Sequence, residues 1–419
     1  MGPSGISDQL AEAAYLYAYS MDEAYKFLYE TTIEPRLPFN EFQKIRDLAD
    51  DTYTAHPTIN NDTLHLQGWF DVAAEPVVVT VPDFDEGRYW ILHTMDLGHY
   101  TTAMIGSRVR GTKGGRFVFA ARAWAGTVPE GIDDVVRSDS DIIKVMGRIM
   151  TIGGNDLAIA RQYMDRWTIE TLSQHVGVAG PPRKERDFPD PESTNWMQRV
   201  NFVLGDGSMA AADADWLEQY SAIGLGPGRD DFTDMQIASA ERGRTLGMKH
   251  LVDLAPAMRN AGDLLGTRED LQAGPRDLFA EGTYLGQWGL PPAESVYMKV
   301  ESGSDGLPIN GSGGKRYRTR FRAPDVSEFW SFTVYGNDDR LMAHNAINRH
   351  SRGDRTLTPD SEGYYTIELN SDVESNADHP NFLPIPEKDA YLILRLYGPS
   401  KAIQDGDYAM PVIEVVPRD

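Results

Sequence analysis

The sequence predicts a mainly β fold with helical insertions, in which two β-rich modules are joined by a helical segment. Short β-branched and aromatic runs, separated by Gly, Pro and Asp, fill about 60–121 and return from about 295 to the end. Between them, from about 139 to 274, apolar residues recur at helical spacing. A chain of 419 residues also exceeds the size at which one hydrophobic core usually stops growing, which favours several domains.

The first segment has the pattern of an amphipathic helix. Its apolar residues follow a 3.6-residue period at Leu10, Ala13, Ala14, Tyr17, Met21, Ala24, Tyr25 and Leu28. Ser7 is a suitable N-cap, and Pro35 and Pro38 are expected to stop the helix. Predicted strands of the first β-rich module follow at 64–70, 76–81, 88–95 and 116–121. This pattern indicates a meander or a sandwich rather than alternating strands and helices.

The helical segment and the second β-rich module complete the chain. Ile142, Ile143, Met146 and Ile149 form an apolar stripe at helical spacing, and the Pro-rich stretch 180–191 is interpreted as an exposed linker. Further helices are predicted near 196–204, 213–223 and 231–258, and strands at 296–300, 317–321, 329–335, 364–369 and 391–397. We therefore expect an N-terminal helix (1–40), a β module (41–175), a helical connector (176–285) and a C-terminal β-sandwich (286–419).

The composition restricts the partners and the compartment. The chain has 40 basic and 63 acidic residues, a net charge of −23, which argues against binding to nucleic acid or to anionic lipid. Cysteine is absent, so disulfides and thiolate nucleophiles are excluded. No apolar run has the length of a membrane span, so we expect no membrane association. We expect a cytoplasmic protein from the sequence as given, or a periplasmic or secreted one if an N-terminal signal was removed.

Three polar residues precede the first predicted strand of the first module. Asn60, Asn61 and Asp62 can either orient a substrate or hydrogen-bond to nearby backbone groups in an Asx-type turn. Asp62 is therefore one candidate for acid/base chemistry, with Asn60 and Asn61 as candidate substrate-binding residues.

A second candidate group contains two histidines and a carboxylate. In a strand His93 and His99 share a face and Asp96 points to the other, so a metal site would require a turn or a bulge near Asp96. Packed or solvated histidines are the alternative. Asp96 alone, as a general base or a hydrogen-bond anchor, is the preferred interpretation.

Arginines and amides supply the remaining candidates. Arg108 can hold a carboxylate group or developing negative charge, and Trp124 can line a binding site, although in so acidic a chain an internal salt link is the alternative for the arginine. Asn348 and Arg349 lie in a polar cluster that follows a predicted strand, where a loop either binds substrate or braces the backbone.

The residues above resemble the tandem bacterial domains called domain of unknown function 1254 and domain of unknown function 1214. The first match covers about 49–172 and the second about 297–416. The matching motifs include Asn60-Asn61-Asp62-Thr63-Leu64, Gly87-Arg88-Tyr89-Trp90, Phe329-Trp330-Ser331, Asn348-Arg349 and Leu394-Arg395-Leu396-Tyr397. The sequence departs at Ala121-Arg122-Ala123, where a Gly-Pro pair is expected, and at Gly398, where an aromatic is expected.

The resemblance implies two jelly-roll-like β-sandwiches with helical insertions, assembled into a homo-oligomer. It also implies that Asn60, Asn61, Asp62, Asp96, Arg108 and Trp124 occupy motif positions of the first domain, and that Asn348, Arg349 and Arg395 occupy those of the second. The family does not require histidine at the positions of His93 and His99, which disfavours the metal interpretation.

The functional hypothesis is an enzyme, a hydrolase or lyase, that acts on a small polar organic molecule without a cofactor. Nucleophile-elbow, phosphate-loop, dinucleotide and zinc-peptidase motifs are missing. Asp96 or Asp62 would transfer the proton, Asn60 and Asn61 would orient the substrate, and Arg108 or Arg349 would hold negative charge. The alternative is a non-catalytic ligand-binding or structural jelly-roll oligomer.

Overall fold

The computed structural model describes residues 6–54, 57–254, 261–271 and 274–417, and it shows a β-rich chain with helices between its sheets. In the first half the strands are β1 (Gln43–Ile45), β2 (Thr63–Asp71), β3 (Val77–Val81), β4 (Trp90–Asp96), β5 (Thr101–Gly106), β6 (Gly115–Ala121), β7 (Asp134–Ser138), β8 (Ile142–Met150) and β9 (Thr168–Thr171). In the second half they are β10 (Ser295–Val300), β11 (Arg316–Arg322), β12 (Val326–Gly336), β13 (Ser351–Gly353), β14 (Tyr364–Asn370), β15 (Phe382–Pro384), β16 (Ala390–Pro399) and β17 (Glu414–Val416).

Helices precede, interrupt and connect the sheets. They are α1 (Asp8–Leu28), α2 (Ser107–Arg110), α3 (Gly154–Asp165), α4 (Leu172–Val176), α5 (Trp196–Leu204), α6 (Met209–Ala212), α7 (Ala214–Tyr220), α8 (Asp234–Leu254), α9 (Arg268–Leu271), α10 (Arg276–Gly286), α11 (Val373–Asn376) and α12 (Lys401–Gln404). The predicted N-terminal helix is confirmed: Ser7 accepts a hydrogen bond from the Leu10 amide at 3.2 Å, and the helix continues as a π-helical turn over Tyr29–Ile33 before the prolines. The last residues of the predicted 231–258 helix lie outside the described residues.

Two sheets form the first module. Sheet 1 has the strand order β1-β2-β8-β4-β5 and is antiparallel, and sheet 2 has the order β7-β6-β3-β9 with β6 and β7 parallel. Their facing side chains form one hydrophobic core that includes Leu66, Phe70, Val79, Trp90 and Phe119. The burial of large apolar side chains between the two faces holds these sheets together.

Two more sheets form the second module. Sheet 3 has the order β10-β16-β12-β13, and sheet 4 has the order β15-β14-β11-β17. The period of two is clear on β11, where Tyr317, Thr319 and Phe321 are buried and the four arginines between and beside them are exposed. The buried faces of both sheets again meet in a single core.

The helices α1, α5, α8 and α10 pack together against the outer face of sheet 1. Tyr15, Tyr17 and Tyr25 of α1 are buried in a cluster that also contains Trp69 and Met95 from the sheet. Sheet 1 is consequently covered on both faces, which explains why every residue of β4 is buried.

The helical prediction for the stripe Ile142, Ile143, Met146 and Ile149 is wrong, because these residues form β8. Nine residues of β8 pair with β2 and seven with β4, which places it in the interior of sheet 1. A short apolar run buried on both faces has no alternation, so periodicity alone does not separate it from a helix. No helix among the described residues has the length and hydropathy needed to cross a bilayer.

Candidate functional site

A cleft of about 530 Å³ opens where the first module meets the second. The first module contributes the loop before β2, the end of β8 and the start of α3. The second contributes β12, the loop leading into β13, β13 itself and the turn after it. The wall from the first module carries carboxylates, among them Asp50 and Asp62, and the opposite wall carries Arg349, Arg352 and Arg355. The cleft is therefore acidic on one side and basic on the other.

Asp62 lies in the acidic wall and is buried. Its Oδ2 accepts a hydrogen bond from the Ser331 hydroxyl at 2.8 Å, across the boundary between the modules. Burial raises the pKa of Asp62 above its ordinary value, while the nearby charge of Arg395 and the Ser331 hydrogen bond oppose that rise. A carboxylate in this environment is a better proton acceptor than an exposed one.

The two asparagines before Asp62 have different roles. The Asn60 Oδ1 accepts hydrogen bonds from the backbone amides of Asp62 (3.0 Å) and Thr63 (3.1 Å), which is the Asx-type turn. The Asn61 Nδ2 donates to the Ala49 carbonyl at 2.5 Å, and its Oδ1 accepts from the Ser351 hydroxyl at 3.0 Å. Asn60 thus braces the turn, whereas Asn61 links the modules at the edge of the cleft.

The basic wall is held by its own loop. The Asn345 side chain accepts from the Arg349 amide at 2.9 Å, and the Arg349 guanidinium donates to the His379 carbonyl at 3.2 Å. Asn348 lies beside Arg349 with a φ of 48°, in the left-handed region that asparagine tolerates. The loop geometry therefore presents both predicted residues, Asn348 and Arg349, to the cleft.

Arg352 is the second arginine of this wall and was not predicted. Within the described ranges it forms no ion pair, and its buried Nε has no hydrogen-bond partner. Burial and the neighbouring charge of Arg349 lower the pKa of Arg352 to about 10. A guanidinium placed in this way is suited to bind an anionic group of a ligand. Its position within the polar cluster after β12 was the available sequence signal.

Arg395 supports the site from behind. It is 3% exposed, and its guanidinium donates to the Thr58 carbonyl at 2.7 Å and to the Thr333 hydroxyl at 3.0 Å. The contact with Thr58 holds the loop before Asp62 against sheet 3. Ser331, the other residue that sequence reasoning missed, follows the tryptophan of the Phe329-Trp330-Ser331 motif.

Asp96 lies in a different environment. It is buried, it accepts from the Tyr100 amide at 3.0 Å, and it contacts the Arg268 guanidinium at 3.4 Å. Burial raises the pKa of Asp96 to about 6, and the charge of Arg268 opposes the rise. The functional hypothesis gave Asp96, Asn61 and Arg108 roles in one reaction, but of these three only Asn61 is among the described residues that line the cleft.

Arg108 and Trp124 also lie outside the cleft. The Arg108 Nε donates to Glu294 Oε2 at 2.7 Å, which is the internal salt link considered as the alternative. Trp124 packs against the outer face of sheet 2, where Arg137 stacks over its ring at 5.6 Å. Neither residue lines the cleft, and both fasten parts of the fold to one another.

His93 and His99 are both buried, and a turn does follow β4 at Asp96. His93 Nε2 lies 3.0 Å from the Thr101 hydroxyl, and His99 Nε2 accepts from the Trp288 amide at 3.2 Å. Among the residues that can be described, no group of three His, Asp or Glu side chains is arranged to hold a metal ion. The metal interpretation therefore receives no geometric support at this position.

The chain has two paired-sheet modules with a cleft between them, and comparisons with known proteins identify its family. Residues 39–171 match the model "Protein of unknown function (DUF1254)" and residues 294–401 match "Protein of unknown function (DUF1214)". The chain belongs to this tandem family. The VPA0106 protein of Vibrio parahaemolyticus, a solved structure, is 57% identical over 98% of this chain and 100% of its own, with a TM-score of 0.89.

A second solved structure is more distant. An uncharacterised protein from Burkholderia cenocepacia is 12% identical over 96% of this chain and 88% of its own, with a TM-score of 0.45. No curated protein matches the chain.

Proposed function

We propose that the chain is an enzyme that hydrolyses or eliminates a group from a small polar organic molecule bearing an anionic group. The observation that carries the proposal is the position of Asp62, a buried carboxyl with a raised pKa, in the same cleft as Arg352, whose guanidinium forms no ion pair with the described residues. Acid/base catalysis needs a positioned carboxyl group, and recognition of an anion needs a positioned donor.

The proposed roles follow from the contacts. Arg352 and Arg349 bind the anionic end of the substrate, and Asn61 and Asn348 are placed to contact its polar groups. Asp62 takes a proton, either from an attacking water in hydrolysis or from the carbon beside the leaving group in elimination. Ser331 keeps the carboxylate oriented through its 2.8 Å hydrogen bond. The proposed chemistry uses Asp62 in place of Asp96 and requires no cofactor.

Incubation of the protein with a metabolite pool, followed by mass spectrometry of consumed compounds, tests the proposal. Once a substrate is found, Asp62→Asn should lower kcat by about 10²–10⁴-fold, because the amide cannot accept the proton. Wild-type activity should rise with pH as Asp62 loses its proton, and the midpoint of this acidic limb should lie above about 3.9, the ordinary pKa of Asp, because burial raises the pKa of Asp62. Asp83→Asn, at an exposed carboxylate paired with Lys113, is the control and should keep full activity. Wild-type turnover by Asp62→Asn would exclude the role.

The second candidate is a non-catalytic ligand-binding or structural protein. It is favoured by the use of the Asn60 and Asn61 side chains in backbone hydrogen bonds. The same metabolite experiment separates the two functions, since a binding protein retains its ligand without consuming it. The jelly-roll-like topology and the homo-oligomer remain part of this proposal, and light scattering of the purified protein measures the subunit number.

A further inference from the structure

The outer face of sheet 1 carries a buried arginine between two apolar clusters. On β8 the side chains of Lys144, Met146, Arg148 and Met150 share this face because of the period of two. Met146 packs with the helices and Met150 packs with Phe329 and Tyr397 of the second module. Arg148, which is 6% exposed, lies between them and forms no ion pair with any described residue.

The hydrogen-bonding capacity of Arg148 is largely unused by the protein. Its Nη2 donates to the Trp288 carbonyl at 3.2 Å, whereas Nε and Nη1 are buried without a partner in the described ranges. The indole nitrogen of Trp288 and the amide nitrogen of Gln287 are buried and unpartnered in the same way. Each of these four atoms is a nitrogen that donates hydrogen bonds.

His99 adds a fifth donor. Its ring stacks on Trp288 with centroids 4.4 Å apart, and its Nε2 accepts from the Trp288 amide. Burial lowers the pKa of His99 to about 3, so the ring is neutral near pH 7. A neutral imidazole that accepts at Nε2 carries its proton on Nδ1, which is buried and unpartnered among the described residues.

His93 completes the group. In the register of β4 and β8, Ile91 is opposite Arg148 and His93 is opposite Met146, so His93 and Arg148 are diagonal neighbours on the same face of sheet 1. Burial, followed by the positive charge of Arg148, lowers the pKa of His93. We refer to His93, His99, Arg148 and Trp288, which these contacts connect, as the donor cluster. With both histidines neutral, the cluster carries one positive charge.

We propose that the donor cluster binds a compact monovalent anion, either a halide or the carboxylate group of a small acid. A buried guanidinium with unsatisfied N–H groups is strongly unfavourable unless a negative acceptor compensates it. Within the donor cluster the unpartnered nitrogens of Arg148, Trp288 and His99 are donors, so the complementary ligand is an acceptor. One positive charge matches one negative charge. The proposal does not depend on the function assigned to the cleft.

The site is distinct from the cleft, although the two are neighbours. Met150 lines the cleft and Arg148 lies two residues away on the same face of β8, which corresponds to roughly 7 Å along a strand. Arg349 and Arg352 belong to the cleft wall of the second module, and Arg148 belongs to sheet 1. A variant can therefore remove one site and leave the other.

Crystals of the wild-type chain grown with sodium bromide or with sodium formate test the proposal directly. An anomalous bromide peak within hydrogen-bonding distance of the Arg148 nitrogens supports a halide, and formate density at the same place without bromide supports a carboxylate. If both ions are absent from the donor cluster, or bind only at Arg352, the proposal is overturned.

Thermal unfolding in increasing sodium bromide provides a measurement in solution. We expect the midpoint of the wild type to rise by roughly 2 °C more than that of Arg148→Met, since general salt effects are shared by both. Arg318→Met, at an exposed arginine paired with Glu368, is the control and should keep the full bromide response. Arg148→Gln, which also removes the charge, serves if the methionine variant does not fold, and an unchanged bromide response in either folded variant would contradict the proposal.

Discussion

Lys144 shows how a single charged residue can be accommodated inside this fold. Its side chain is 1% exposed, and its ammonium group lies over the rings of Phe27 (4.8 Å) and Trp69 (5.0 Å) instead of beside a carboxylate. The aromatic faces offset part of the cost of removing the charge from water. Burial nevertheless lowers the pKa of Lys144 to about 7, so the folded protein releases this proton much more readily than the unfolded chain does.

The lowered pKa predicts a pH-dependent stability. Between about pH 7 and 10.5 the unfolded chain binds more protons at Lys144 than the folded protein, so the free energy of unfolding rises with pH over this window. Relative to Lys144→Met, the wild type should gain a few kcal/mol between pH 7 and 10, at about 1.4 kcal/mol per unit. Urea unfolding at both pH values measures the difference. Lys299→Met, at an exposed lysine over Tyr391, should show no such change.

At the scale of elements, the close contact between α1 and α8 depends on two glycines. A Cβ atom at Gly243 would overlap the Ala11 carbonyl, and one at Gly247 would overlap the Tyr15 ring. The glycines allow the two helices to approach closely, so that the buried tyrosines of α1 fill the space between α8 and sheet 1. Helix propensity alone would favour alanine at these positions by about 1 kcal/mol.

Gly243→Ala should therefore destabilise the protein although it improves helix propensity. The added methyl group forces α8 away from α1, and overpacking of this kind costs about 1–3 kcal/mol. Thr245→Ala, two residues along on the exposed face of α8, should change the free energy of unfolding by less than about 0.5 kcal/mol. A Gly243→Ala variant as stable as the wild type would show that α1 moves freely to accommodate the change.

The elements that the sequence predicted correctly are those with a clear period or a clear boundary. The helix after Ser7 and the alternating strand β11 have such signals. The strand β8 does not, because it is buried on both faces, and its isoleucines resemble a helical stripe. The candidate site was only partly predictable for a related reason. Asp62 and Asn61 were recognised, but their contacts with Ser331 and Ser351 join residues 269 and 290 positions apart.

At the scale of the whole molecule, the modules are fastened by hydrogen bonds that surround the cleft. The Tyr335 hydroxyl donates to the Ile59 carbonyl at 2.6 Å, and Arg395 donates to the Thr58 carbonyl. The positive charge of Arg395 also opposes the rise in the pKa of Asp62 that burial causes. Local sequence patterns carry no information about how two modules are oriented, so the partners of Asp96, Arg108 and Trp124 could not be deduced from them.

Arg395→Met should loosen this boundary and alter the chemistry of Asp62 together. Removal of one buried charge leaves the other uncompensated, which typically costs about 3–5 kcal/mol. The pKa of Asp62 should rise, and the acidic limb of any activity should move to higher pH. Calorimetry and the pH profile measure the two effects. Arg318→Met, at an exposed pair with Glu368, should cost at most about 1 kcal/mol. If the acidic limb of a folded Arg395→Met variant lies at the same pH as in the wild type, the charge of Arg395 does not influence the pKa of Asp62.

Because one wall of the cleft comes from each module, neither half of the chain contains a complete site. Expression of either half alone would yield half a pocket, however well that half folded. Under the proposed function, both domains are required for activity and must be expressed and folded together. Substitutions in one half should consequently be tolerated or rejected according to the residue that faces them from the other.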